Sequence, residues 1–558
     1  MRSLLAVTLC GAWAAAAMAG CGDDGANPNP AGTSSSSGSG GSGATGPEAP
    51  IQPAAGGIRR LLRTQYLGSL RVLFGEVAVE AADPPADLPL KGFDAIGAAE
   101  ITTASSTVER YEHSAREVAA AVVADPATRA KAFPCEPTTP SDATCLSIAA
   151  GTIGRVAWRR TLTGAEIARL VGAAQVAGNE YGTIDAALES LVSALIQSPN
   201  FLYIVELGSE TIDEATGGRL LTPGELASRI SFFLNNATPT AALLDAADAG
   251  HLETDEGIAA VAEQMLGLSE ARWALDAFYA EVFRLREIDV MNKSALVYPL
   301  YTPQLQDSMR EESLQLIRDI VWNQDTDARG MFDADYTFID ADLATLYGVP
   351  APSGAGFVKT TLPAAQQRRG LLGHAGLLAL LSHTDSSSAT RRGAFVQSRL
   401  LCSPVPPPPP DVVPTFPPDD GVPKTAKMKL EKHMEVASCA SCHQVMDPIG
   451  FALEHYDGIG AYREKDKGLV IDPSGSIPNL GDFAGPAELA DLIRNDERSA
   501  LCLVRNLYRH SMGHLETKGE LPALARLDDA FEEDGFRIQQ LLVRIVQSPA
   551  FRQVTEPK

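Results

Sequence analysis

Residues 222–234, TPGELASRISFFL, have the pattern of a helix with a capped start. Thr222 offers a side-chain oxygen to an unpaired backbone N–H, Pro223 suits the first helical position, and Glu225 can reach back from three residues on. Apolar residues then recur at helical spacing, which predicts one buried face. The stretch therefore predicts an α-helix that packs against a core.

The same start signals recur along the chain. Thr163 with Glu166 opens a second predicted helix, and Thr302 with Pro303 opens a third. The third helix has a row of apolar residues for which core packing is the simplest interpretation: Met309, Leu316 and Ile320. Because 558 residues exceed what one core supports, we predict a mainly α-helical, multidomain protein.

The composition is that of a soluble globular protein, with 45% hydrophobic and 21% charged residues. The formal net charge is −24. Nucleic acid is a polyanion, so a chain this acidic is not expected to bind it.

The N-terminus has the features of an export signal. Arg2 precedes the apolar run Leu4 to Met18, which is too short to span a bilayer, and Cys21 follows small residues. Residues 1–21 resemble a bacterial lipoprotein signal with Cys21 as the lipidated residue; cleavage without lipidation is the alternative. Residues 22–57 are rich in Gly, Ser, Pro and Ala and predict a flexible tether.

The prediction is thus an extracytoplasmic protein, held to the bacterial cell envelope by lipid alone, in the periplasm or on the outer surface. Disulfides persist there. Cys135 and Cys145 enclose a short loop suited to a disulfide, while Cys402 and Cys502 could pair with each other.

Residues 403–423, SPVPPPPPDVVPTFPPDDGVP, interrupt the helical pattern. Ten prolines fix the backbone dihedral φ and remove hydrogen-bond donors, so a polyproline II strut is predicted. A spacer is the first interpretation, and a recognition ligand for another protein is the second.

The strut leads into residues 436–457, VASCASCHQVMDPIGFALEHYD. Cys439 and Cys442 have the spacing of two thiols that bond haem vinyl groups, and His443 follows as an iron ligand. Zinc would need a second ligand pair, and a redox dithiol would need a strand–helix context; neither was found. We predict one covalent haem c, with a structural disulfide, another metal or a redox dithiol as alternatives.

A sixth iron ligand has several candidates in the sequence. Those near the motif are His433, Met434, Met446 and His455, and the distant ones are His510, Met512 and His514. Met446 is too close to His443 in sequence to reach the far face easily. Asp447 with Pro448 could orient the imidazole of His443 through a hydrogen bond, or could simply form a turn.

Glu311 and Glu312 are adjacent on the third predicted helix and could begin a carboxylate metal site. No Glu-x-x-His partner follows them, so a solvated face is the simpler interpretation.

Residues 368–466 combine an Arg-Gly repeat before a helix, the proline strut, CASCHQVMDPIGF and YDGIGAYR. This combination resembles the planctomycete-type cytochrome c domain of secreted multidomain bacterial proteins. Other segments resemble the accompanying helical domains of uncharacterised function. The resemblance implies haem on Cys439 and Cys442 with His443 as axial ligand, and it keeps His433 as a distal candidate.

The predicted division is a set of helical domains around a small haem module: 58–145, 146–207, 215–350, 365–466 and 480–555. The favoured function is electron transfer in the cell envelope with an unidentified redox partner protein. An extracytoplasmic haem enzyme, which would be an oxidoreductase, is the alternative. A surface binding protein is the third hypothesis; a polysaccharide ligand is conceivable but has no support in the sequence.

Overall fold

The computed structural model of the protein describes most of the chain: residues 49–403, 405, 421–435 and 437–557. The predicted signal segment 1–21 with Cys21, and most of the strut 403–423, lie outside the described residues.

Helices dominate the described chain, as predicted. The first group is α1 (Arg63–Phe74), α2 (Glu76–Ala81), α3 (Asp94–Glu100), α4 (Ser105–Ala124), α5 (Pro126–Ala132), α6 (Ala143–Ala157), α7 (Gly164–Tyr181), α8 (Ile184–Ile196) and α9 (Pro199–Leu202). The next is α10 (Pro223–Leu234), α11 (Ala241–Asp248), α12 (Asp255–Leu266), α13 (Ser269–Val282), α14 (Pro303–Arg318), α15 (Gly330–Asp333) and α16 (Ala341–Tyr347).

The region around the C-x-x-C-H motif, residues 368–466, and the region that follows it supply the remaining helices. They are α17 (Ala375–Leu380), α18 (Ala389–Phe395), α19 (Ala426–His433), α20 (Ala437–Ala452), α21 (Pro486–Asn495), α22 (Glu497–Met512), α23 (Leu521–Glu533), α24 (Ile538–Gln547) and α25 (Pro549–Arg552). Short 3₁₀ turns span Leu285–Val290, Ala364–Gln366 and Leu371–Gly373, and π turns span Asp319–Gln324 and Val396–Leu400.

The strands are short and form antiparallel pairs. They are β1 (Gly57–Arg60) with β2 (Tyr203–Glu206), β3 (Arg219–Leu220) with β10 (Gln553–Val554), β4 (Tyr336–Ile339) with β5 (Val358–Thr361), β6 (Lys465–Asp466) with β7 (Leu469–Val470), and β8 (Gly475–Ile477) with β9 (Gly481–Phe483). Gly57 pairs with Glu206, and Gln553 pairs with Leu220. These two pairs join segments that are far apart in sequence.

Helix α10 begins as its sequence predicts. The carboxylate of Glu225 accepts from the backbone N–H of Thr222 at 2.8 Å, and the Thr222 hydroxyl accepts from the N–H of Glu225 at 3.4 Å. These two bonds satisfy backbone donors that the first turn leaves unpaired. The apolar row on α14 is also buried, although Ile320 lies in the π turn that follows the helix.

Two hydrophobic cores account for most of the buried side chains. One holds residues of α1, α4 and α6–α8, such as Tyr66 and Leu191. The larger one draws on the central region, the region around the C-x-x-C-H motif and the C-terminal region together, with Phe278, Tyr456 and Phe551 as members. The predicted domain boundaries stay predictions, since these regions share one core.

The last part of the predicted tether 22–57 is folded. Ile51 is 3% exposed within the larger core, and the N–H of Gln52 donates to the carbonyl of Gly519 at 2.8 Å. Ile51 is the one large aliphatic residue in this stretch, and burial of its side chain explains why the residues around it join the fold. Among the residues that the structure describes, no helix combines the length and apolar character needed to cross a bilayer.

Candidate functional site

Helix α20 carries the C-x-x-C-H motif. Cys439, Cys442 and His443 stand three and four residues apart, so they share one face of the helix. Both thiols are partly buried and take part in neither disulfide of the described chain. Two thiols and an imidazole are therefore presented together.

The imidazole of His443 is held by a carboxylate one turn further along α20. Its Nδ1 lies 2.7 Å from Oδ2 of Asp447, and the Asp447 side chain is fully buried. The hydroxyl of Thr390, on α18, donates to the other carboxylate oxygen at 2.8 Å. Asp447 and Pro448 lie inside a helix rather than in a turn, and the hydrogen bond to His443 is present.

This arrangement defines the chemical state of the imidazole. Burial raises the pKa of Asp447 above its usual value, while the hydrogen bond from Thr390 and the nearby His443 oppose that rise. A carboxylate accepts only, so Nδ1 of His443 carries the donated proton. The other ring nitrogen, Nε2, then has a lone pair for a metal ion.

His433 lies beside this imidazole. It is the last residue of α19, and its ring centroid is 4.9 Å from that of His443, with the planes at 81°. Burial lowers the pKa of His433, and the neighbouring His443 adds to that shift. Metal–imidazole bonds are about 2 Å long, so the two rings in contact would have to separate to hold an iron between them.

The other nearby candidates for a sixth iron ligand make packing contacts or hydrogen bonds of their own. Met434 packs on a small cluster formed by Ala389, Leu430 and Phe451, and Met446 is buried. The ring of His455 bonds the carbonyl of Arg463 at 2.8 Å and stacks on Tyr462.

The distant candidates are buried or hydrogen-bonded within the protein. His510 bonds Glu281 at 2.8 Å, and His514 bonds Glu520 at 3.0 Å. Met512 is buried. Of all the candidates, His433 alone is shown in ring contact with His443 in the described chain.

The other four described cysteines are paired. Cys135 is bonded to Cys145, and Cys402 is bonded to Cys502. The second disulfide fastens the residue that precedes the proline strut to α22. The start of the strut is thus fixed to the C-terminal region.

A second polar cluster, which sequence reasoning missed, lies deep in the larger core. Glu312 on α14 is fully buried, so the predicted solvated face is wrong for this residue. Its carboxylate accepts from the hydroxyl of Tyr347 at 2.7 and 2.8 Å and from that of Thr337 at 2.9 Å. Burial raises the pKa of Glu312 to about 7.

His374 completes this cluster. Its Nε2 lies 3.1 Å from the Thr337 hydroxyl, which already donates to Glu312, so Nε2–H is the donor. Its Nδ1 then accepts from Ser313, also at 3.1 Å. Burial lowers the pKa of His374 to about 3 and keeps it neutral. The available signal in the sequence was the position of Glu312 on α14, three residues after Met309 and four before Leu316, which places it on the apolar face.

A cleft of about 780 Å³ adjoins the motif region. It lies between the start of α18, helix α19 and the loop around Asp457 and Arg463. Thr390 lines this cleft and also bonds Asp447, so one residue connects the cleft to the carboxylate that holds His443.

The donor set fits a covalently bound haem. Two neighbouring thiols outside the disulfides, and an imidazole whose Nδ1 is occupied and whose Nε2 is available, are what c-type attachment needs. Within the described residues, no cluster of three or more His, Cys, Asp and Glu side chains has the arrangement of a metal site.

Five family models match the chain, and each is described as a protein of unknown function. They are DUF1587 at residues 59–124, DUF1595 at 145–206, DUF1592 at 221–349, DUF1588 at 368–466 and DUF1585 at 481–551. Five successive regions of the chain are therefore each similar to a family of unknown function, which supports a multidomain organisation.

The DUF1588 match contains the whole C-x-x-C-H motif together with the proline strut. No curated protein and no solved structure matches the chain.

Proposed function

We propose that the protein is an extracytoplasmic c-type cytochrome that transfers electrons in the cell envelope. One haem c would be bonded to Cys439 and Cys442, with His443 as an axial iron ligand. The hydrogen bond from Nδ1 of His443 to the buried Asp447 carries the proposal, because it leaves Nε2 for the metal. The association of these domains with cytochromes c supports it.

The chain's own residues have defined tasks in this proposal. Asp447 fixes the orientation and the tautomer of the imidazole, and Thr390 fixes the carboxylate from its other side. The haem supplies a one-electron redox centre, with a potential that its axial ligands and their hydrogen bonds adjust. His433 is the candidate for the opposite axial position, for which the two rings would move apart.

The location belongs to the same proposal. Lipid on Cys21 would anchor the protein to the envelope, and covalent haem attachment takes place outside the cytoplasm. The redox partner is a protein that remains to be identified. Its docking would be expected near α19 and α20, where both thiols are partly accessible.

A haem-containing oxidoreductase is the second candidate. The cleft favours it, because a cavity of about 780 Å³ beside Thr390 is in the size range of small-molecule sites. A midpoint potential and an identified sixth ligand would separate the two candidates.

The deciding experiment is expression of the full chain with periplasmic haem-maturation machinery. A pyridine haemochrome spectrum of c type, and haem stain that survives a denaturing gel, are expected. The Cys439→Ser/Cys442→Ser double variant should lose the stain, and Ser441→Ala, between the two cysteines, should keep it. A folded, fully matured wild-type protein without bound haem would overturn the proposal.

A further inference from the structure

The cleft beside α19 has an unusual charge for this protein. Five cationic side chains and three carboxylates line it, although the whole chain carries a net charge of −24. The cationic groups are Lys424, Lys429, Lys432, Arg463 and Lys467. A concave, locally positive surface on an acidic protein concentrates anions.

Two of the three carboxylates are engaged with the protein itself. Oδ1 of Asp457 accepts from the backbone N–H groups of Ile459 and Ala461, both at 2.9 Å. Asp466 bonds Arg463 at 3.1 Å. The pairing of Asp466 with Arg463 cancels one charge of each sign, and Asp457 keeps its negative charge. The four lysines then outweigh the two remaining aspartates, so the lining has a net charge of +2.

The rest of the cleft lining is suited to a ligand that carries hydroxyl groups. Ser387, Ser388 and Thr390 line one wall. The Ser387 hydroxyl is fixed between Glu454 at 2.7 Å and Arg463 at 3.0 Å, and that of Thr390 donates to Asp447. Val297 and Leu430 add apolar contact. Fixed hydroxyls and carboxylates select ligands by hydrogen bonds, and lysines select them by charge.

We propose that this cleft binds a hydroxylated organic anion of the sugar-acid class, with its carboxylates directed to the lysines of α19. The site is separate from the haem-binding residues, and the proposal does not depend on haem. It adjoins the haem motif through Thr390, which contacts both.

The test is calorimetric titration of the full chain with trigalacturonic acid, with maltotriose as the neutral probe. We expect binding of the acidic probe at least tenfold tighter than that of the neutral one. Lys429→Gln should weaken it about tenfold, and Lys467→Gln, in an exposed turn, provides a variant with little risk to folding. Lys465→Gln, on the neighbouring strand but outside the cleft, is the matched control.

The Cys439→Ser/Cys442→Ser protein should bind the acidic probe as the parent does, which distinguishes this proposal from the haem proposal. Three results would overturn it: no binding of trigalacturonic acid, equal binding of maltotriose, or an affinity that both cleft variants leave unchanged. Complete competition by equimolar sodium sulfate would also overturn it, because the cleft would then recognise charge alone.

Discussion

Two carboxylate–histidine clusters in this protein are built from the same kinds of residue. In each, a threonine hydroxyl donates to a carboxylate: Thr390 to Asp447 near the surface, and Thr337 to Glu312 in the core. The histidines differ. His443 bonds its carboxylate directly and is 20% exposed, whereas His374 is 2% exposed and reaches Glu312 through the threonine.

That difference separates a cluster that leaves one ring nitrogen of its histidine available from a cluster that uses both. His374 uses both ring nitrogens within the protein, and burial holds its pKa near 3, so it offers nothing to a ligand. The Nδ1 of His443 is occupied and its side chain is partly accessible. A buried polar network with every group satisfied stabilises a unique core, while one with an outward nitrogen can bind a metal.

The largest expected effect is on the haem spectrum. If haem is bound as proposed, His443→Ala should abolish its low-spin absorption spectrum, because the iron would lose the imidazole, while the thioether bonds to the cysteines would remain possible. His374→Ala is the comparison variant and should lower the melting temperature without changing the spectrum. An unchanged low-spin spectrum in His443→Ala would exclude the axial assignment.

The second effect is on the pH dependence of stability. Glu312 should destabilise the fold as the pH rises, whereas most carboxylates in proteins destabilise it as the pH falls. Burial raises the pKa of Glu312 from 4.5 to about 7. Stability contributed by its bound proton is therefore fully present below pH 4.5 and is lost as the pH rises through 7. Glu312→Gln cannot lose a proton, so its free energy of unfolding should not fall in this range. The difference in unfolding free energy between the variant and the wild type should therefore shift in favour of the variant by up to about 3 kcal/mol between pH 5 and pH 8.5.

Melting temperatures of both proteins across that pH range provide the measurement. Glu311→Gln is the matched control, since its carboxylate is adjacent in sequence and more exposed. If the difference between wild type and Glu312→Gln were the same at pH 5 and pH 8.5, the pKa of Glu312 would be ordinary.

The third effect tests the donor that holds Glu312. Tyr347→Phe removes the hydroxyl that donates to both carboxylate oxygens and accepts from the N–H of Ala375 at 2.9 Å. Leaving buried groups unsatisfied should cost about 2 kcal/mol at pH 8, and less at pH 5, where the carboxyl is protonated. Chemical denaturation at both pH values measures it.

Tyr336→Phe is the control for this prediction, because its hydroxyl bonds Asp319 at a partly exposed position and lies outside the Glu312 cluster. A loss in Tyr347→Phe that does not depend on pH would mean that the hydroxyl bonds a neutral carboxyl throughout.

The sequence predicted the features that depend on local chemistry. The capping residues Thr222 and Glu225 predict where α10 begins, because they act within one turn. The C-x-x-C-H motif is local too, since its thiols and His443 share one helix; that it binds haem stays a prediction. The Glu312 cluster was missed because Thr337 and His374 reach it from separate segments, and only tertiary packing brings them together.

The smallest expected effect concerns the strength of His443 as a ligand. Asp447 accepts a hydrogen bond from Nδ1–H of His443, which would make the imidazole a stronger electron donor to the iron of the proposed haem and would stabilise its oxidised state. Asp447→Asn should weaken that donation and raise the midpoint potential by about 50 mV, close to a tenfold change in a one-electron equilibrium. Thr390→Val, which removes the donor on the other carboxylate oxygen, should leave a more basic carboxylate and shift the potential in the opposite direction by a smaller amount. Redox titration of the two variants tests both signs together, and shifts in the same direction would show that Asp447 acts by packing rather than through the Nδ1 proton.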